Sequence, residues 1–155
     1  MRTIKFRGKT LNKEWVYGDL LHYANCSESN EANNDSTIVI GYKSKSDNNF
    51  KIVTPETVGQ FTGLLDKNNK EIYEWDIVRK KEIGGYGLER IGVVRYYEKD
   101  CRFGIDFTAT DKFWKRGLFI EGEAQMEDGH CTHTYTLEYE VLGNIFDNHE
   151  LLKNL

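Results

Sequence analysis

TPETVGQFTGLLDKNNKEIYEWDIV, residues 54–78, holds the chain's single proline, Pro55, the glycines Gly59 and Gly63, and a polar run, DKNN at 66–69, between apolar segments. Each of these features reads as backbone geometry. Thr54 ahead of Pro55 and Glu56 predicts a single helical turn through Val58, with threonine as N-cap and proline at the first helical position, where its fixed φ fits. Gly59 ends that turn. Residues 60–65 are then extended, Gly63 bends, and 66–69 reverse the chain, because Asp and Asn favour turns. Residues 71–73 resume extended structure and 77–79 enter the next strand. Such frequent punctuation, without a helical period, belongs to a protein of short strands.

The flanking sequence agrees. Residues 4–7 begin a strand. Residues 15–23, WVYGDLLHY, form another, with Trp15, Tyr17 and Asp19 on one side and Val16, Gly18 and Leu20 on the other. Gly18 inside it predicts a bend or bulge. Residues 25–35, NCSESNEANND, are polar and lack an apolar anchor, which predicts a mobile loop. Residues 37–42 and 50–53 pair as a hairpin across 43–49. Further on, GGYG at 84–87 is a hairpin tip, with strands at 91–97, 103–107 and 118–121. Residues 109–116 are one helical turn or a loop, and 122–132 an acidic loop. Residues 134–143 alternate, with Tyr135, Leu137, Tyr139 and Val141 on one face. Asp147 or Asn148 then caps a short terminal helix carrying Leu151 and Leu152. No fixed-period repeat exists, and many closely spaced short strands point to antiparallel barrels or rolls.

The composition bounds the function. The 155 residues suffice for a core without covalent staples. Aromatics at 13% favour strands. A net charge of −4 argues against broad binding to a phosphate backbone while leaving room for a local basic patch. Cys26, Cys101 and Cys131 are odd in number and widely spaced, which fits reduced thiols rather than a disulfide framework. No apolar run is long enough to span a bilayer. The start, MRTIKFRGKT, lacks the apolar segment of a secretory signal, so a cytoplasmic protein is expected.

Candidate chemistry is sparse. Glu56, Asp66, Glu71, Glu74 and Asp76 cluster in 54–78 and could serve a metal or acid–base pair, but turns and caps select the same residues. A calcium loop counted from Asp66 has Glu71 where glycine is needed and Ile77 where glutamate is needed. His130, Cys131 and His133 offer zinc ligands without a second ligand pair, since His22, Cys26, Cys101 and His149 are scattered. Cys131 with a neighbouring histidine lacks any oxyanion site. The GGYG run has no following Lys-Ser/Thr, so it is not a phosphate loop. Arg79, Lys80 and Lys81 form one basic run. Lys112, Phe113, Trp114, Lys115 and Arg116 form another, whose interleaved rings and cations suit single-stranded nucleic acid.

Three blocks carry a family resemblance: 4–9 (IKFRGK) with 15–20 (WVYGDL), 53–63 (VTPETVGQFTG) with 66–78 (DKNNKEIYEWDIV), and 141–152. In their order and wording the chain resembles the YopX family of bacteriophage and prophage proteins. Three positions depart from that pattern. Asn69 stands where glycine is usual, and asparagine is the next best residue at positive φ. His149 stands where proline is common. Trp75 replaces the glycine of a Glu-Gly-Asp turn, so either the backbone there is ordinary or the turn has changed locally. The resemblance implies a mainly β fold of small SH3-like barrels or rolls, oligomeric, with no assigned activity and no catalytic residues to carry over. It also implies one YopX-like domain over 1–155, which residues 54–78 would divide into two small β subdomains. The function expected is that of a non-enzymatic phage accessory protein, without cofactor, metal or membrane. It would act by self-assembly and by association with a phage or host protein in the bacterial cytoplasm. A nucleic-acid-binding barrel using residues 112–116 is the alternative.

Overall fold

The computed structural model describes residues 3–24, 36–43, 48–83, 89–107, 116–118, 123–127 and 132–153. The chain is mainly β and antiparallel, and its helical pieces are short 3₁₀ turns. It divides into two compact units, Met1–Phe61 and Thr62–Leu155.

In the first unit, β1 (Phe6–Lys9), β2 (Trp15–Ala24), β3 (Ser36–Lys43), β4 (Asn48–Ile52) and the start of β5 (Gly59–Leu65) lie in the order β4-β3-β2-β1-β5. β1 and β2 join through a tight turn in which Lys13 takes φ 66 and donates its N–H to the Thr10 carbonyl. β2 pairs with β1 from Trp15 to Gly18, then with β3 from Asp19 onward. Gly18 stands at the changeover with φ +151, and a Cβ there would lie 2.5 Å from the Gly41 carbonyl oxygen. A Cβ on Gly41 would in turn run into the Asn49 backbone. Glycine at both places lets the strands approach, and the bend expected at Gly18 is present. Val39, Ile40, Val53 and Phe61 are buried.

The turn at Pro55–Thr57 differs from expectation. Thr54 makes no side-chain cap; the Thr57 hydroxyl instead donates to the Thr54 carbonyl at 2.7 Å and accepts from the Lys9 N–H at 2.8 Å. Gly59 opens β5 instead of terminating a helix. A 3₁₀ turn this short has few orphan donors, so the threonine inside it ties it to β1.

The second unit takes the rest of β5, then β6 (Glu71–Tyr73), β7 (Asp76–Ile83), β8 (Glu89–Tyr97), β9 (Arg102–Asp106), β10 (Arg116–Leu118), β11 (Glu123–Glu127) and β12 (Thr132–Asn144). Six of these form an antiparallel sheet ordered β10-β9-β8-β7-β12-β11. The sheet is open: among the described residues β10 and β11 are edges, so no barrel closes. β12 lies beside β7, with a bulge between Val141 and Gly143. Ile72, Val78, Val94, Ile105, Phe107, Leu137 and Tyr139 form one buried cluster, with Leu64 and Val141 packed against it. Fully burying one such side chain stabilises by roughly 1.5–3 kcal/mol.

Two elements differ from the sequence reading. The acidic segment read as a loop contains β11, paired with β12 from Glu123↔Thr136 to Glu127↔Thr132. An edge strand tolerates polar residues, which hid it. Of the strand expected at 118–121, Leu118 belongs to β10 and residues 119–121 lie outside the described residues. The terminal helix is a 3₁₀ turn, His149–Leu152, without a side-chain cap. The Asn148 side-chain oxygen accepts from the Asn144 N–H at 3.3 Å instead. The loop expected at 25–35 and the hairpin tip at 84–87 lie outside the described residues.

Candidate functional site

The acids of 54–78 do not converge on a site. Asp66 is buried and serves the backbone. Its Oδ1 accepts from the N–H groups of Asn68 at 2.7 Å and Lys70 at 2.9 Å, and its Oδ2 from the Val141 N–H at 3.0 Å. The Lys67 N–H donates to the Tyr139 carbonyl at 2.9 Å, so the turn is tied to β12 on both sides of its first corner. Burial raises the pKa of Asp66. The hydrogen bonds from Val141, Lys70 and Asn68 outweigh burial and hold it below the ordinary carboxylate value. Asn69 takes φ 61 and closes the turn by donating to the Asp66 carbonyl.

Asp76 is buried too, and accepts the Tyr73 N–H at 2.8 Å. Glu71 accepts the Tyr73 hydroxyl at 2.7 Å, and Glu56 is exposed in the Pro55–Thr57 turn. Glu74 begins the two-residue connection into β7. Asp66, Asp76 and Glu71 thus spend acceptor capacity on donors of the fold.

Trp75 corrects both alternatives drawn from the sequence. Its backbone is left-handed, φ 71, so the turn keeps the glycine-like geometry. Its N–H donates to the Val94 carbonyl at 2.9 Å, and its carbonyl accepts from the Ile145 N–H at 3.0 Å. The Arg95 guanidinium lies 4.3 Å from the ring centroid, and Phe146 meets the ring edge-on at 6.3 Å. A left-handed residue costs about 1–2 kcal/mol. A cation over a ring and an edge-on ring pair are each worth about that much, which offsets the strain.

Of the expected nucleic-acid segment, Lys112, Phe113, Trp114 and Lys115 lie outside the described residues. Arg116 opens β10 opposite Asp106. His130, Cys131 and Cys26 also lie outside them, His133 is on β12, Cys101 is exposed, and His22 and His149 lie on β2 and in the terminal 3₁₀ turn. Among the described residues no three His, Cys, Asp or Glu side chains are grouped to hold a metal ion.

Two charged surfaces stand out. On the second unit, Glu140 pairs with Lys67 and with Arg79, each at 3.0 Å, and Arg79 also reaches Glu89 at 3.0 Å. The hydrogen bond from Lys67, with the nearby charge of Arg79, holds Glu140 below its ordinary pKa. These partly exposed pairs neutralise the sheet face and add little stability.

On the first unit, Lys5, Arg7 and Lys9 alternate on β1 and its approach, opposite Trp15 and Tyr17 on β2. The Arg7 guanidinium lies 4.8 Å and the Lys9 ammonium 5.6 Å from the Trp15 centroid, and the Lys5 ammonium lies 5.8 Å from that of Tyr17. Beside these rings, where β2 has left β3, is a cavity of about 250 Å³ lined by Trp15, Tyr17, Ile40, Asn49 and Lys51 among others. The sequence reading placed Trp15 and Tyr17 on one side of their strand but did not connect them with the cations of 5–9. The signal was present: cations with period two facing aromatics with period two.

The fold and its turns place the chain among small antiparallel β proteins with carboxylate-locked corners. The YopX family model, described as YopX protein, matches residues 5–153, and the chain belongs to that family. The crystal structure of protein EF1440 from Enterococcus faecalis is similar, with 24% identity, 98% of this chain and 99% of that chain covered, and a TM-score of 0.47. No curated protein matches.

Proposed function

We propose that this chain is a phage or prophage accessory protein that acts by association with itself and with phage or host proteins in the bacterial cytoplasm, and not by catalysis. The observation that supports this most is the outer edge of the first unit. Among the described residues β4 is a sheet edge, and the register aligns Leu21, Val39 and Ile52 in one row across β2, β3 and β4. Ile52, on the edge strand, is 59% exposed, and Leu21 is also exposed. Val39 between them is buried, so the accessible apolar groups are Leu21 and Ile52, and an edge strand with exposed apolar residues is the arrangement that strand addition uses.

Light scattering on the purified chain tests the self-association. An assembly that dissociates when Leu21→Ser and Ile52→Ser are combined, with the circular dichroism spectrum retained, supports the reading. A strict monomer at all micromolar concentrations overturns it. No helix among the described residues is long and apolar enough to cross a membrane.

A further inference from the structure

We propose that the β1–β2 face of Met1–Phe61 binds single-stranded nucleic acid, with a base stacked against Trp15 and Tyr17 beside the β3–β4 cavity and the flanking phosphates taken by Lys5, Lys9 and Lys51. Its residues are none of those in 112–116 and none of the apolar row Leu21, Val39 and Ile52.

The backbone builds the cavity. The β2–β3 ladder ends at Asp19↔Gly41, and Gly18 turns residues 15–17 away from β3. The gap left behind is lined by Trp15, Val16 and Tyr17 of β2, the buried Ile40 and Gly41 of β3, and Asn49 and Lys51 of β4. At about 250 Å³ it falls below the roughly 300 Å³ at which pockets for drug-sized ligands begin, so it suits one planar ring system and not a larger ligand. Tyr17 is 41% exposed, which leaves part of its ring accessible. Arg7 is buried against Trp15 and acts as a prop for the indole. A ring held in place by a cation loses little freedom when a base stacks on it.

The electrostatics agree. Met1–Phe61 carries 8 Lys and Arg against 7 Asp and Glu, whereas Thr62–Leu155 carries 13 against 18. The overall negative charge therefore belongs to the second unit. Glu14 and Asp19 border the aromatic face, but among the described residues no carboxylate lines the cavity. Rings interleaved with cations along a groove are the common means of holding single strands without sequence preference. A phosphate or a carboxylate alone would use the lysines and leave the rings unused, which favours a base-bearing polymer over an acidic peptide.

The test is fluorescence anisotropy of a labelled oligothymidylate, titrated with the full chain at low salt, with polyglutamate as the competing acidic polymer. Binding should weaken linearly in log salt. The Lys9→Gln, Lys51→Gln double variant should flatten that slope by about 1.4, since each phosphate contact on a single strand contributes about 0.7. Tyr17→Ala should weaken binding roughly five-fold or more, and Trp15→Phe should weaken it less than Trp15→Ala, since stacking follows ring area. Tyr17 and Lys51 are exposed, so those variants remain informative if Trp15→Ala fails to fold. Three results overturn the proposal: no anisotropy change at low salt, binding indifferent to Tyr17→Ala, or displacement by polyglutamate at equal charge concentration. The last would assign the surface to an acidic protein.

Discussion

The two units turn short strands by opposite chemistry. Met1–Phe61 does so by removing side chains: Gly18 and Gly41 let β2, β3 and β4 approach until no Cβ would fit. Thr62–Leu155 does so by adding them: Asp66 and Asp76 fill their corners with carboxylate oxygens that accept backbone N–H groups. The cations differ likewise. Arg79 and Lys67 of the second unit meet carboxylates, while Lys5, Arg7 and Lys9 of the first lie over rings. The lesson is that basic residues make a neutralised face in one place and a stacking surface in another. The neighbours across the strand decide which.

Substitutions can break this contrast. Gly18→Ala should have the largest effect, about 3 kcal/mol, because it adds both left-side backbone strain and a collision with the Gly41 carbonyl. Urea denaturation would measure it, with amide exchange expected to quicken first across β2 and β3. A loss under about 1 kcal/mol would mean that the glycines are not what lets these strands close.

Asp66→Asn comes next, at about 2 kcal/mol, since a single amide oxygen cannot serve both donors on Oδ1 and the Val141 N–H on Oδ2. The pH dependence has a definite sign. The folded pKa of Asp66 lies below its unfolded value, so its contribution is complete above the unfolded value, about 3.9, and lost as pH falls through the folded one. The stability gap between wild type and Asp66→Asn should therefore shrink below about pH 4. A gap that stays constant down to pH 2 would show that the carboxylate charge does not matter.

Trp75 supplies a finer comparison. Trp75→Ala keeps the left-handed strain and loses the contacts with Arg95 and Phe146, for a cost of about 2 kcal/mol. Trp75→Gly loses the same contacts but relieves the strain, and should lie within about 1 kcal/mol of wild type. Thermal denaturation that ranked glycine below alanine would refute the account of this turn. Glu140→Gln should have the smallest effect, a shift in the denaturation midpoint smaller than that of any variant above and vanishing in molar salt, because its pairs are solvent-screened.

Much of the fold was legible because its signals are local. The alternation of Leu137, Tyr139 and Val141 marks β12, and the DKNN turn appears where Asn69 takes positive φ. β11 was not legible, because EAQME at 123–127 offers only Ala124 and Met126 between residues that strands disfavour, and it becomes a strand through pairing with β12. The Thr54 cap failed for a related reason: the hydroxyl that matters, on Thr57, is chosen by the distant Lys9 N–H. The acidic cluster looked like chemistry in one dimension, and only the fold assigned Asp66 and Asp76 to backbone donors.

Residue order alone therefore determined the family, the β class, the turn at 66–69 and the bend at Gly18, since each depends on side-chain type and neighbours within a few positions. Tertiary structure decided how Trp75 survives at positive φ, which sheets stay open, and that Lys5, Arg7 and Lys9 share a face with Trp15 and Tyr17. Those outcomes rest on strand register and on groups brought together across the chain, which no local pattern encodes.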